Sequence, residues 1–166
     1  MSDDSFNTDE PIAYFITWTT YGTWLPGDAR GWNRKHESEI QKPNRNLQAA
    51  ARSKMTESEF RLSPDHQAIV EATIRKHCNI RGWHLHVVNP RTNHVHVVVT
   101  ARDVDPKTVR DQFKAWCTRK LREAGVNRKH IWTEGGSKRS VNTESDLATV
   151  IEYASEAQDR KDRDIE

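Results

Sequence analysis

Two short segments of the chain carry histidines at alternate positions: His84 and His86 in one, and His94 and His96 in the other. Imidazole nitrogens bind Mn, Zn, Fe, Ni and Cu, and Mg²⁺ can enter such a site when phosphate oxygens complete its shell. A single histidine on a strand is more often structural, but two alternating pairs can gather several imidazoles. The pattern therefore predicts a site for a divalent cation. An alternative interpretation is that His84 and His86 hold the ligands in place or contact phosphate.

The two histidine segments are predicted to be neighbouring strands. Both are rich in valine, and the turn-forming residues 89–93 between them favour an antiparallel hairpin with a five-residue loop. Successive side chains of a strand point to opposite faces, so a short loop would place His86 opposite His96 and Val88 opposite His94. We therefore expect up to four imidazoles on one face of the sheet and the apolar side chains on the other.

The remaining elements that must position this hairpin follow from periodicity and capping signals. Their order predicts an α+β fold, a ferredoxin-like βαββαβ sandwich with an antiparallel central sheet and an extra C-terminal helix. The predicted elements are a strand at 12–20, a helix at 64–78, strands at 83–88 and 94–100, a helix at 106–124, a short hairpin or broken strand within 130–142, and a helix from 144 to about 162.

Composition bounds the class of protein. The chain has 166 residues, of which 34% are hydrophobic and 30% charged, which predicts one modest core. No apolar run is long enough for a membrane span and no secretory signal is recognisable, so we expect a cytoplasmic protein without membrane contact. Two cysteines without CxxC spacing disfavour a disulfide scaffold or a cysteine zinc site. Residues 1–10 are predicted to be a disordered leader and 11–162 a single domain, with a polar insertion at about 33–62.

The chain resembles the HUH transposases that use a single catalytic tyrosine, of the small insertion-sequence type and their REP-associated relatives. The resemblance rests on His94-Val95-His96 with its preceding Asn-Pro turn, on the aromatic first strand and on the basic helix after the hairpin. It also rests on the stretch WTEGGS at 132–137 and on Tyr153 in the terminal helix. These features extend over roughly residues 12–160, and they imply an HUH transposase-like domain.

The resemblance implies a nuclease and strand transferase for single-stranded DNA. His94 and His96 would bind Mg²⁺ or Mn²⁺, and Tyr153 would be the nucleophile that forms a 5′-phosphotyrosine. A phenol has a pKa of about 10, so it needs a metal that polarises the phosphate and a group that helps to remove its proton. The other tyrosines are Tyr14, expected to pack in the first strand, and Tyr21, expected in a Gly-rich loop that could touch DNA.

The third metal ligand departs from the family pattern. There, a Gln or Asn commonly follows the tyrosine by four positions, but here that position is Ala157. On an ideal helix Glu156 lies about 60° from Tyr153 and Gln158 about 140°. Helix geometry favours Glu156, whereas the family chemistry favours the amide, and we select Gln158 on the assumption that the helix is loosened there.

The partner implied by the resemblance is a DNA hairpin or a single strand beside one. From residue 107 to 140 there are ten Lys or Arg against three acidic residues, which favours contact with phosphates, although charged helix faces are often merely solvated. Tryptophans can stack on unpaired bases. The predicted DNA contacts are Arg110, Lys114, Arg119, Lys120, Arg122, Lys138, Arg139, Trp24 and Trp132, with Trp32 as a further stacking candidate.

Two alternative functions are compatible with the sequence. One is a domesticated module of the same fold that binds DNA hairpins without cleaving them, which the loss of a ligand at Ala157 would allow. The other is a metal-dependent RNA-processing α+β protein whose histidines act in acid-base chemistry. The resemblance also allows a homodimer in which each tyrosine helix serves the partner's site.

Overall fold

A four-stranded antiparallel sheet forms the centre of the fold in a computed structural model that describes residues 10–23, 32–33 and 40–157. Strand order in the sheet is β4-β5-β1-β6. The elements in chain order are β1 (Ala13–Thr19), β2 (Trp32–Asn33), β3 (Ile40–Gln41), α1 (Arg45–Ser53), α2 (Pro64–Arg81), β4 (His84–Pro90), β5 (His94–Thr100), α3 (Pro106–Glu123), β6 (Ser137–Val141) and α4 (Glu144–Glu156).

The topology confirms the predicted ferredoxin-like sandwich. In this fold the first and third of four strands are central, and here β1 lies between β5 and β6 while β4 forms the other edge. The helices α2 and α3 pack on each other and on one face of the sheet, and α4 packs on β4 and β5. The terminal helix is therefore the extra element, and it ends earlier than predicted, at Glu156 among the residues that the structure describes.

Side chains at the helix starts satisfy backbone donors that would otherwise lack partners. Ser63 accepts from the backbone of His66 at the start of α2, and Asp105 accepts from Thr108 at the start of α3. Thr143 does the same for α4. These caps fix where each helix begins, and the sequence predicted those of α2 and α4.

Two apolar clusters occupy the two faces of the sheet. The larger cluster joins Ile16, Trp18 and the odd-numbered valines of β5 to α2 and α3. The smaller cluster joins Val98 and Val141 to Val150 and Ala154 of α4. Because β5 is buried on both faces, its alternate positions place His94 and His96 on the same face as Val98, under α4.

The pairing of β4 with β5 corrects the predicted register. Asn89, and not His86, is the partner of His96, and a bulge between Leu85 and Val87 inserts His86 as an extra residue. Strand β4 also continues through Pro90, which leaves a three-residue loop where five residues were predicted. The four imidazoles therefore lie on one face of the sheet, as expected, but they form two separate pairs, and the predicted pairing of His86 with His96 is wrong.

The polar region at 33–62 contains the β2–β3 pair and the helix α1, in which no residue is buried. Its end returns to the core, where Phe60 and Leu62 are buried. The predicted broken final strand is confirmed as an isolated bridge between Thr20 and Trp132, followed by β6. Among the described helices, none is long and apolar enough to cross a membrane.

Candidate metal and tyrosine site

The histidines of β5 lie side by side in the middle of the sheet. The exposed fraction is 2% for His94 and 3% for His96, and their ring centroids are 4.6 Å apart. Burial of two neighbouring imidazoles on a central strand requires polar partners for their nitrogens. The structure supplies an oxygen for Nδ1 of each ring.

Hydrogen bonds at Nδ1 orient the two rings. Nδ1 of His94 lies 2.8 Å from Oδ1 of Asn93, and because an amide oxygen only accepts, Nδ1 is the donor. Nδ1 of His96 lies 2.8 Å from Oγ1 of Thr17 on β1. The Nε2 atoms of both rings are buried. A hydrogen bond at Nδ1 to an oxygen is the arrangement in which Nε2 binds a metal, so the donor chemistry fits a divalent cation.

Tyr153 lies next to His96. Their ring centroids are 5.9 Å apart at 71°, and Phe15 contacts both rings, at 5.5 Å from His96 and 5.9 Å from Tyr153. Half of Tyr153 is exposed (52%), so its phenol is accessible from solvent. Helix α4 thus brings to the histidine pair the tyrosine that the resemblance singled out.

The other two tyrosines are engaged elsewhere. Tyr14 donates from its hydroxyl to the carbonyl oxygen of Val104 at 2.7 Å, and burial, followed by the charges of Asp105 and Glu10, raises its pKa. Tyr21 stacks on His130 with ring centroids 4.7 Å apart. The expectation that Tyr14 is packed is confirmed. The ring of Tyr21, which was expected in a loop that could touch DNA, is stacked on the ring of His130.

Asn89, which the sequence analysis did not select, connects the tyrosine helix to the histidine strand. It pairs with His96 across the sheet, and its Nδ2 donates to the carbonyl oxygens of Ala154 at 2.8 Å and Ala157 at 3.2 Å. These carbonyls belong to the last turn of α4, where no intrahelical donor is available. An asparagine within a valine-rich strand is unfavourable on propensity alone, and that is the signal that could have identified it.

Among the described residues, no three histidine, cysteine or acidic side chains lie close enough together to hold a metal, so Glu156 is not in place beside His94 and His96 as a third ligand. Gln158 lies outside the described residues. Ala157 has an extended backbone (φ −60°, ψ 137°), so the ideal-helix angle that disfavoured Gln158 does not apply beyond Glu156. Glu156 itself is exposed on the last turn of α4.

Two of the predicted DNA contacts point into the protein. Arg110 is 7% exposed and donates from Nη1 to the carbonyl oxygen of Gly136 at 2.9 Å. Lys114 donates from Nζ to the carbonyl oxygens of Thr133 at 2.9 Å and Gly135 at 2.8 Å. Burial, followed by the charge of Arg110, lowers the pKa of Lys114 to about 8. Both cations bind the backbone of 133–136, so we withdraw them as phosphate contacts.

That backbone segment lies against β1, the strand whose Thr17 side chain contacts His96. A Cβ added at Gly136 would lie 2.7 Å from the carbonyl oxygen of Thr17 and 3.0 Å from Cβ of Trp18, so only glycine fits there. Thr17 in turn carries the hydroxyl that contacts His96. The Gly-Gly segment, held by Arg110 and Lys114, therefore supports Thr17 and, through it, the candidate metal ligand His96.

The other predicted DNA contacts separate by face of the sheet. Arg119, Lys120 and Arg122 lie on α3, on the face opposite the histidine pair. Arg139 pairs with Phe15 across β1 and β6, so it lies on the histidine face, where it is exposed and bound to Asp146 at 2.9 Å. Lys138 is exposed but pairs with Ile16, on the α2 and α3 side.

The tryptophan predictions have different outcomes. Trp132 donates from Nε1 to Oγ1 of Thr118 at 2.8 Å and packs edge-on against Trp18, so it serves the core and not base stacking. Trp24 lies outside the described residues, and of Trp32 the structure describes only the backbone.

The described fold is similar to two solved structures. One is a REP-associated tyrosine transposase bound to a REP hairpin, with TM-score 0.54 and 14% identity, over 93% of this chain and 70% of that chain. The other is a candidate transposase from Deinococcus radiodurans R1, with TM-score 0.52 and 11% identity, over 91% of this chain and 94% of that chain. No family model matches the sequence, and no curated protein is similar to it. The resemblance inferred from the residues is therefore confirmed at the level of the fold.

Proposed function

We propose that the protein is a metal-dependent endonuclease and strand transferase for single-stranded DNA, acting at hairpin-associated sites as a transposase or a domesticated derivative. The observation that carries the proposal is the position of Tyr153. Its half-exposed phenol ring lies 5.9 Å from the ring of His96, beside a buried histidine pair whose Nδ1 atoms are held by oxygens. A tyrosine that only fills space in the core would not need to lie beside two buried histidines with oriented rings.

The residues that would hold the cation are His94 and His96, each through Nε2. Gln158 is our choice for the third ligand, and Glu156 is the alternative. With Mg²⁺ or Mn²⁺ bound, the site gains a Lewis acid that neutralises charge on the scissile phosphate. Asn93 and Thr17 would keep the two rings oriented throughout.

The protein's part in cleavage is a nucleophilic displacement by Tyr153. Its phenolic oxygen forms a bond to phosphorus while the bond from phosphorus to the 3′ oxygen breaks. The phenol proton passes to a water molecule or base, and the departing 3′ oxygen takes up a proton as a hydroxyl. The resulting 5′-phosphotyrosine keeps the energy of the broken ester, so a second 3′-hydroxyl can reverse the step and join DNA without ATP.

DNA would approach on the histidine face. One structural neighbour is bound to a REP hairpin, which supports a hairpin as the substrate class. Arg139 lies on this face beside Phe15 and is the cation best placed to contact a phosphate near Tyr153. The cations of α3 face the other way and would contact only DNA that continues around the edge of the sheet. A homodimer remains a prediction.

The test is a search for a covalent adduct. The full chain is incubated with single-stranded oligonucleotides that carry hairpins, with Mn²⁺ or with EDTA, and analysed by intact mass. We expect an adduct in Mn²⁺ alone, lost in Tyr153→Phe and retained in Tyr21→Phe, because Tyr21 packs against the apolar cluster on the face of the sheet opposite His94 and His96.

Other outcomes identify the alternatives. Hairpin binding without an adduct under any condition would support the non-catalytic binding module. Cleavage of RNA that survives Tyr153→Phe but fails in His94→Ala would support acid-base processing by the histidines. Either result would reject the phosphotyrosine mechanism.

A further inference from the structure

A second histidine pair lies on the same face of the sheet, away from the first. His84 pairs with Thr100 at the far end of β5, whereas His96 pairs with Asn89. Thr100 lies four positions after His96 on β5, which is roughly 13 Å at about 3.3 Å per residue. The two pairs therefore cannot share one ion.

The second pair has the ring separation of the first. The ring centroids of His84 and His86 are 4.5 Å apart, compared with 4.6 Å for His94 and His96. With metal–nitrogen bonds of about 2.1 Å, two imidazoles at roughly a right angle on one ion have centroids about 4.5 Å apart. The bulge at His86 is compatible with this separation.

Hydrogen bonds assign the protonated nitrogen of His86. Oγ1 of Thr100 donates its proton to the carbonyl oxygen of Ile12 at 2.6 Å. The same oxygen lies 2.8 Å from Nε2 of His86, and having used its proton, it accepts there. Nε2 of His86 is therefore a donor, and in the neutral ring Nδ1 carries the lone pair, which is the state of a metal ligand.

The surroundings allow an ion to reach the pair. His84 is exposed and His86 is half-buried, on an edge strand. Burial and the neighbouring His84 lower the pKa of His86, while the carboxylate of Glu144, at the start of α4, opposes this shift. The neutral ring is therefore favoured, and a carboxylate acts on the same ring from the neighbouring helix.

We propose that His84 and His86 form a second metal site, specific for a transition metal such as Zn²⁺, Ni²⁺ or Cu²⁺. Two imidazoles without oxygen ligands do not suit Mg²⁺. No third His, Cys, Asp or Glu of the described chain is within binding distance, so water or a rotated Glu144 side chain completes the coordination. This site is independent of the proposed nuclease activity. An ion there would join the bulged edge strand to the start of the tyrosine helix.

The experiment counts bound Zn²⁺ by calorimetry on the EDTA-treated full chain. The key variant combines His84→Ala with His86→Gln, whose amide can still donate to Thr100. A second variant combines His94→Ala with His96→Ala. We expect the wild type to bind one Zn²⁺ more than the His84/His86 variant, and the His94/His96 variant to retain that ion.

Two controls keep the result decisive. Equal melting temperatures in EDTA show that the His84/His86 variant is folded, and His84→Ala alone, at an exposed position, should already weaken binding at least tenfold. In the wild type, Ni²⁺ should broaden the NMR signals of the His84 and His86 rings. Unchanged Zn²⁺ stoichiometry and affinity in the His84/His86 variant would overturn the proposal, as would loss of all Zn²⁺ binding in the His94/His96 variant.

Discussion

Asn89 on β4 donates a hydrogen bond from Nδ2 to the carbonyl oxygen of Ala154, the residue after Tyr153 on α4, at 2.8 Å. A second bond to Ala157 lies at 3.2 Å. The strand beside His96 thus holds the end of the helix that carries the tyrosine. This contact joins two parts of the site that are more than sixty residues apart in sequence.

Replacement of Asn89 by Leu should loosen the end of α4. Because two carbonyl oxygens lose their donor, we expect a loss of about 1–2 kcal/mol in the free energy of unfolding. Hydrogen exchange should quicken in α4 but not in α3, and adduct formation should slow. Asn79→Leu, at an exposed position on α2, is the matched control. Equal exchange rates in α4 of the two variants would contradict this role for Asn89.

Thr17→Val removes the hydroxyl beside His96 with little change in shape. We expect roughly 10- to 100-fold weaker Mn²⁺ binding, because an outer hydrogen bond fixes the orientation of a ligating ring. Calorimetry measures the affinity, and Thr17→Ser, which keeps the hydroxyl, should restore it. Thr73→Val on α2, whose hydroxyl contacts only Ile69, should have no effect. Wild-type affinity in Thr17→Val would reject the contact as a determinant of binding.

Gly136→Ala tests the support behind the site. The new Cβ would meet the carbonyl oxygen of Thr17 at 2.7 Å, and the positive φ of 130° adds strain. Gly125→Ala has a positive φ of 106° with no atom within 4 Å, so it reports the backbone strain alone, about 1–3 kcal/mol. We expect Gly136→Ala to be less stable than Gly125→Ala in urea unfolding and to bind Mn²⁺ more weakly. Equal stability of Gly136→Ala and Gly125→Ala would show that β1 moves to accommodate the new Cβ without a loss of stability.

Lys114 should make stability depend on pH. Its pKa falls from an ordinary 10.5 to about 8 in the folded protein, so the unfolded chain binds more protons between these values. Stability therefore rises with pH from about 8 to about 10.5, and the penalty for the buried charge is complete below pH 8. Urea unfolding at pH 7 to 10 should show this rise relative to Lys114→Met. Lys138→Met, at an exposed position, is the control, and parallel curves for all three proteins would contradict the expectation.

Arg139 tests the direction from which DNA approaches. Arg139→Gln should weaken hairpin binding and reduce the slope of log affinity against log salt by about 1, because one phosphate contact is lost. Its ion pair with Asp146 is exposed, so stability should change little. Arg75→Gln on α2, which breaks an exposed pair with Glu71, is the control. Equal slopes for Arg139→Gln and wild type would show that DNA does not contact Arg139 on the histidine face.

The sequence by itself determined the elements and the two principal groups of the site. Strict alternation in residues 94–100 places His94 and His96 on one face whatever the rest of the chain does, because the period of a strand is two. The caps Ser63, Asp105 and Thr143 fixed the helix starts for an equally local reason. Tyr153 was identified by resemblance, and the fold then placed it beside His96.

Tertiary structure decided which other groups join the site. The three-residue loop after Pro90 sets Asn89 against His96, and the bulge at His86 exchanges the faces of β4 on its two sides. No local pattern marks such an insertion. Likewise, the sequence of a basic helix does not indicate which face of the sheet the helix will cover. Packing places α3 on the face opposite the histidines, where Arg110 and Lys114 bind backbone carbonyls. The sequence defines the period of each helix and strand. Which face of the sheet a helix covers, and which residues a strand pairs with, depend on contacts between distant residues.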